Sequence, residues 1–218
     1  MINIFSKSIR DNIFRVRFCV IILGIMSMVS ISTESVGQNF EVTPFAGYRF
    51  GGSFEDSVTG FGLDINESET YGVVLGISMT PETQIEFLYS HQTTEIEPKD
   101  LFSPTSLTDL DVDYYHLGGS YIWNPKRDLR PFIQASLGVT HLNPDRAGLE
   151  SEDRFSFGIG GGVKYFFTKH IGLRLDGRAL ATLLSSNSAI FCSGGCTIRV
   201  EGSAFWQFEG SLGLIFAF

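Results

Sequence analysis

Cysteine is nearly absent from this chain of 218 residues; only Cys19, Cys192 and Cys196 are present. Two thiols in the last long link, with no second pair and no histidine pair beside them, argue against a zinc site. Basic residues are also few, 16 Lys+Arg against 24 Asp+Glu, giving a formal charge of -8. That balance excludes the electrostatic footprint of a nucleic-acid binder. Long apolar runs are missing too. The longest, Phe18 to Ile31, falls short of the roughly 20 residues that a membrane-spanning helix needs. What the chain has instead is glycine, 24 residues, and phenylalanine, 20 residues.

Lys7, Arg10, Arg15 and Arg17 precede the short apolar run, and small residues follow it. This is the pattern of a secretory signal peptide over residues 1–37, with cleavage before Gln38 or nearer Ser32. An uncleaved N-terminal anchor is the competing reading. Loss of residues 1–37 removes four bases and two acids (Asp11, Glu34), and moves the formal charge of 38–218 from -8 to -10.

From residue 38 onward, apolar and small or polar residues alternate in eight runs, which is the signature of half-buried strands. Phe40, Val42, Pro44, Ala46, Tyr48 and Phe50 open the series. Trp206, Phe208, Leu212, Leu214, Phe216 and Phe218 close it. Short links around Pro81, 125–130 and 169–170 alternate with long ones at about 51–69, 95–111, 143–153 and 185–198. An even number of strands with short turns at one end and long loops at the other predicts an all-β fold. The specific form is an eight-stranded antiparallel up-and-down transmembrane β-barrel. A soluble barrel with its apolar side inward has the same period. The strands, however, carry mostly Gly, Ser, Thr and Gln on the polar side, which suits a narrow lumen better than a water-facing surface.

Glu41, Arg49, Glu86, Lys164, Arg174, Asp176, Arg178 and Glu209 fall on that polar side, four acids and four bases. A closed lumen requires such a balance, because an unpaired buried charge costs several kcal/mol. The expectation is a lumen charge network that plugs the barrel. A conduit lined by charge is the alternative.

The first three long links are acidic. Asp64-Ile-Asn-Glu-Ser-Glu69 begins like a calcium loop, but Glu69 stands where glycine is needed. Asp109, Asp111 and Asp113 share a strand face and offer oxygens to a divalent ion, or simply a solvated rim. No complete ligand set is visible, so neither a metal nor a cofactor is expected. In an oxidising compartment Cys192 and Cys196 are expected to form a local disulfide. Ser90 and His91 are neighbours on a strand and point to opposite faces, which argues against a catalytic dyad. Gly158-Ile-Gly-Gly-Gly162 has no helix after it, so it is not a nucleotide loop.

Three segments carry a family likeness. Glu41-Val-Thr-Pro-Phe-Ala-Gly-Tyr-Arg-Phe-Gly-Gly52 resembles the opening strand of small outer-membrane β-barrel proteins. Tyr115-His-Leu-Gly-Gly-Ser-Tyr121 and Arg130-Pro-Phe-Ile-Gln-Ala-Ser-Leu-Gly138 resemble their central hairpin. The layout of 38–218 is similar to the group of outer-membrane protein X, the opacity proteins and the outer-membrane protein A barrel. Ser211, Gly213, Phe216 and Phe218 resemble the terminal signal read by the barrel-assembly machinery. The resemblance implies export to a Gram-negative outer membrane and partners there: outer-membrane lipid, lipopolysaccharide, the assembly machinery, and a host or surface ligand. Roles in that group include adhesion, surface protection, small-solute passage and lipid modification. The leading expectation is a non-enzymatic barrel that displays acidic extracellular loops, with a structural or surface-interaction role such as adhesion or envelope integrity. A narrow solute conduit is the second reading and a lipid A-modifying enzyme the third.

Overall fold

The computed structural model describes residues 40–51, 53–56, 62–98, 108–144, 151–183, 189–190, 198–201 and 204–218. The expected signal segment 1–37, its boundary with 38–218, and Cys192 and Cys196 lie outside the described residues. The strands are β1 (Phe40–Phe50), β2 (Ser53–Asp56), β3 (Gly62–Ile65), β4 (Ser68–Ser78), β5 (Thr83–Pro98) and β6 (Thr108–Ile122). They continue with β7 (Leu129–Pro144), β8 (Glu152–Phe166), β9 (Ile171–Leu183), β10 (Ala189–Ile190), β11 (Ile198–Glu201) and β12 (Ala204–Ala217).

Eight of these form a closed antiparallel ring in the order β1, β4, β5, β6, β7, β8, β9, β12 and back to β1. The eight alternating runs of the sequence are the eight staves. A stave can present one apolar and one polar face because successive side chains point to opposite sides.

The register fixes the tilt. Start at Val163 on β8 and step across the ladder through Leu175, Leu212, Ala46, Tyr71, His91, Asp113 and His141. The path returns to β8 at Asp153, ten residues from where it left. A stagger of that size over eight strands gives a tilt of about 40° and a barrel only wide enough for side chains.

The strands outrun the expected links. β5 continues to Pro98, β6 begins at Thr108, β7 reaches Pro144 and β8 begins at Glu152. Glu95, Asp109 and Asp111 are therefore strand residues and not loop residues. The first long link also holds β2 and β3, with β3 paired to the upper end of β5 and β2 to β11. The physical reason is that the alternation of polar and apolar positions persists beyond the apolar zone, and a ladder that leaves lipid needs only a polar outer face.

At the other end the turns are tight. The Thr80 hydroxyl accepts the N–H groups of Glu82 and Thr83, and Thr168 does the same for His170 and Ile171. Gly51 ends β1 with φ +84°, a left-handed conformation that glycine adopts without strain. Gly138 has a different reason: a Cβ there would run into the Tyr115 carbonyl oxygen.

Candidate functional site

The lumen is built from the inward positions. Glu41 and Arg49 come from β1, Glu86 from β5, Lys164 from β8, Arg174, Asp176 and Arg178 from β9, and Glu209 from β12. Each is at most 8% exposed. Their spacing along each strand is even, so the period of two sends them all to the same side.

They form one unbroken chain of alternating sign. Arg49 pairs with Glu209 at 2.6 Å, and Glu209 with Arg178 at 2.9 Å. Asp176 joins Arg178 at 2.7 Å to Arg174 at 2.9 Å. Arg174 grips Glu86 with two bonds of 2.9 Å, and Lys164 links Glu86 at 3.7 Å to Glu41 at 2.7 Å. Glu41 and Arg49 are eight residues apart on one strand, so the chain climbs roughly 20 Å of the barrel axis after tilt.

Polar neighbours that sequence reading did not single out complete it. Gln84 accepts from Lys164, Ser120 donates to Glu86, Gln134 bridges Arg174 and Asp176, and Ser90 donates to Glu209. Their only signal in the sequence is an amide or hydroxyl at an inward position. Aromatic faces take the remaining cation surface: Arg174 lies 4.3 Å from the Phe132 ring centre, Arg178 4.9 Å from Phe45 and Arg49 4.7 Å from Tyr114. A cavity of about 20 Å³ beside Arg178 and Glu86 has room for about one water molecule.

Above the chain, Tyr114 donates to Gln207, and Thr182 bonds Tyr114 and Thr140. His116 sits between Ser136 and Ser156 at 3.0 and 2.8 Å. At the lower end Arg130 lies over Phe166 at 4.0 Å.

The outer face is apolar and bare. Leu117, Leu137, Ile159, Leu175 and Leu212 are each more than half exposed. Such a surface around a whole barrel belongs in lipid. Aromatic pairs mark both edges. Tyr121–Trp123 and Tyr165–Phe167 lie near the tight turns, and Tyr89–Tyr115 and Phe157–Trp206 toward the other end. Phe155 and Tyr165 are ten residues apart on β8, about 26 Å in height after tilt, which matches the apolar band of an outer-membrane barrel.

Ser211 and Gly213 face the lumen on β12, while Phe216 and Phe218 face outward. Phe218 exchanges backbone hydrogen bonds with Phe40, and their rings lie 6.5 Å apart. Ser90 is buried inside, whereas His91 faces out and bonds Asp113 at 2.7 Å, so the two share no site. Asp111 and Asp113 are already engaged by Thr93, Tyr89 and His91. Among the described residues no cluster of three or more metal-ligating side chains occurs.

The pattern that defines the outer membrane protein beta-barrel domain matches residues 22–188. No curated protein sequence matches the chain significantly. Among solved structures, Neisserial surface protein A is similar with TM-score 0.57 and 16% identity, over 82% of this chain and 97% of that one. The outer membrane protein OprG from Pseudomonas aeruginosa gives TM-score 0.60 and 10% identity, over 83% and 96%. AlkL, solved in DMPC lipid bilayers, gives 0.57 and 13%, over 86% and 94%. At these identities the likeness is one of fold.

Proposed function

The chain belongs to the outer membrane protein beta-barrel family, and from that premise we propose that it is a closed, non-conducting and non-enzymatic barrel with a structural and surface-interaction role. It resides in the outer membrane, as its family and fold do. The observation that carries the proposal is the alternating ion-pair chain. It fills the lumen from Glu41 to Arg49 with paired charges, the Nε of Arg178 being the one buried nitrogen of the network without a hydrogen-bond partner. An ion or solute would have to break several buried pairs to pass, and each break strands a charge away from water.

What is left to act on the surroundings is the outside. Glu67 between β3 and β4 and Glu69 on β4 are exposed, and the outward acids Asp111 and Asp113 follow on β6. We assign envelope integrity and contact with surface or host ligands to this acidic display. Outer-membrane lipid and lipopolysaccharide are its surroundings. Ser211, Gly213, Phe216 and Phe218 act as the address read by the barrel-assembly machinery.

Reconstitution in planar bilayers tests the closed lumen. The expected result is no stable conductance across the voltage range. A reproducible open level of defined size would overturn the proposal in favour of a conduit.

A further inference from the structure

Among the described residues two buried side-chain atoms have no hydrogen-bond partner in the protein, Thr70 Oγ1 and Arg178 Nε. Arg178 is the telling case, because the rest of its guanidinium is engaged. Nη1 donates to Glu209 at 2.9 Å and Nη2 to Asp176 at 2.7 Å, and one face lies 4.9 Å from the centre of the Phe45 ring. The side chain is 4% exposed, so bulk water does not serve its remaining N–H. Leaving a buried donor of a charged group unmatched costs more than an ordinary hydrogen bond returns.

Arg178 also lines the lumen cavity of about 20 Å³. Part of its wall is apolar, from Val74 and Leu88, and part carries oxygen, from Glu86 and Ser136. Gly158 keeps the space open: a Cβ in its place would come within 2.9 Å of Ser136 Oγ and 3.4 Å of His116 Nδ1. The oxygens have capacity left. Ser136 Oγ bonds His116 Nδ1 at 3.0 Å, and a hydroxyl oxygen can still accept from another donor. Glu86 Oε2 takes one bond from Arg174, and a carboxylate oxygen has two acceptor positions.

We propose that this cavity is a binding site for one ordered water molecule, which accepts from Arg178 Nε–H and donates to Ser136 and Glu86. Its walls select that occupant. The guanidinium opposes a cation, the Glu86 carboxylate opposes an anion, and an apolar guest leaves Nε–H unmatched. Polar partners of both kinds and room for one probe sphere are what a buried water requires. The water also orients what lies above it. Ser136 accepts from the water and gives its own proton to His116 Nδ1. The imidazole proton then sits on Nε2 and is donated to Ser156 at 2.8 Å. Every donor in this line points away from the Arg178 cation, the direction in which successive dipoles reinforce one another. The water thus joins the ion-pair chain to the His116 layer and sets the tautomer of that ring, with Ser136 as the positioning residue. A conducting barrel could hold the same water, so conductance and water binding fail separately.

Solution NMR of the nitrogen-labelled barrel in detergent micelles tests it at about pH 8, where an imidazole is ordinarily neutral. The Arg178 Nε–H should show a through-space cross-peak to water, and the His116 ring nitrogens should have the shifts of the tautomer protonated on Nε2. Val74→Ile adds a carbon to the apolar wall and takes the space of the water without touching a polar group. It should abolish the cross-peak and lower the folding equilibrium constant in urea about tenfold, the size of one stranded buried donor. A Val74→Ile barrel more stable than its parent would identify an empty void that filling improves, and would overturn the proposal. The parent spectra decide the matter even where that variant does not fold: an Arg178 Nε–H without a water cross-peak, or a His116 protonated on Nδ1, overturns it as well.

Discussion

Arg174 and Glu86 lie 88 residues apart in the chain and meet in the lumen through two parallel bonds of 2.9 Å. The fork of the guanidinium matches both carboxylate oxygens, which is the strongest geometry such a pair can adopt. The pair is nearly dry, with side chains 2% and 7% exposed. Its worth is therefore best measured by what its loss leaves behind.

Glu86→Ala strands Arg174 with only Asp176 and Gln134, and leaves Lys164 to Glu41 and Gln84. The expected cost is about 3–5 kcal/mol, read from urea unfolding of the reconstituted barrel. Adding Arg174→Met removes the stranded charge and should recover most of the loss. A Glu86→Ala barrel within about 1 kcal/mol of the parent would show that water reaches the chain.

Two glycines predict opposite outcomes. A methyl on Gly138 would collide with the Tyr115 carbonyl oxygen and with His116, so Gly138→Ala should separate β6 from β7 and abolish the heat-modifiable folded band on gels. At Gly210 nothing lies within 4 Å of the added carbon. Gly210→Ala should fold like the parent, and failure there would contradict the outward placement of that residue.

The chain has two tryptophans, and they lie at opposite edges of the apolar band. Trp123 adjoins the tight turn after β6, and Trp206 packs edge-on against Phe157 at the far end. In oriented bilayers with a quencher confined to the outer leaflet, Trp206 fluorescence should drop while Trp123 is spared. Equal quenching of single-tryptophan variants would refute the orientation.

Phe218 is 45% exposed and holds Phe40 chiefly through the backbone. Phe218→Ala should therefore change the stability of barrel refolded in detergent by no more than about 1–1.5 kcal/mol, half the value of a buried phenylalanine. Its level in the outer membrane of growing cells should fall much further, because the assembly address is lost. Parallel losses in both measurements would reduce Phe218 to a packing residue.

The faces of the barrel were legible because a period of two needs no knowledge of neighbours. Glu41 and Arg49, or Arg174 and Asp176, fall inward whichever strands surround them. What joins Arg174 to Glu86 is the register, and register depends on the stagger of the closed ring, which no single strand encodes. The pairing of His91 with Asp113 was hidden for the same reason. Reading His91 beside Ser90 follows the chain, whereas its partners are Asp113 across the ladder and Thr93 two residues on. The ends of the strands were also misplaced at 95–111 and 143–153. An acidic residue such as Asp111 signals a loop by composition, but it suits an outward strand position above the lipid equally well.

The pairing of Glu41 with Ala217 has a kinetic consequence. Every other seam of the barrel joins strands that follow one another closely, but β1 and β12 meet across nearly the whole described chain. Loop-closure entropy makes that the most expensive contact to form and therefore a late one. Until it forms, the sheet has two open edges that lipid cannot satisfy. The last strand is thus the commitment step of assembly, and the transient species before it is one that needs guarding.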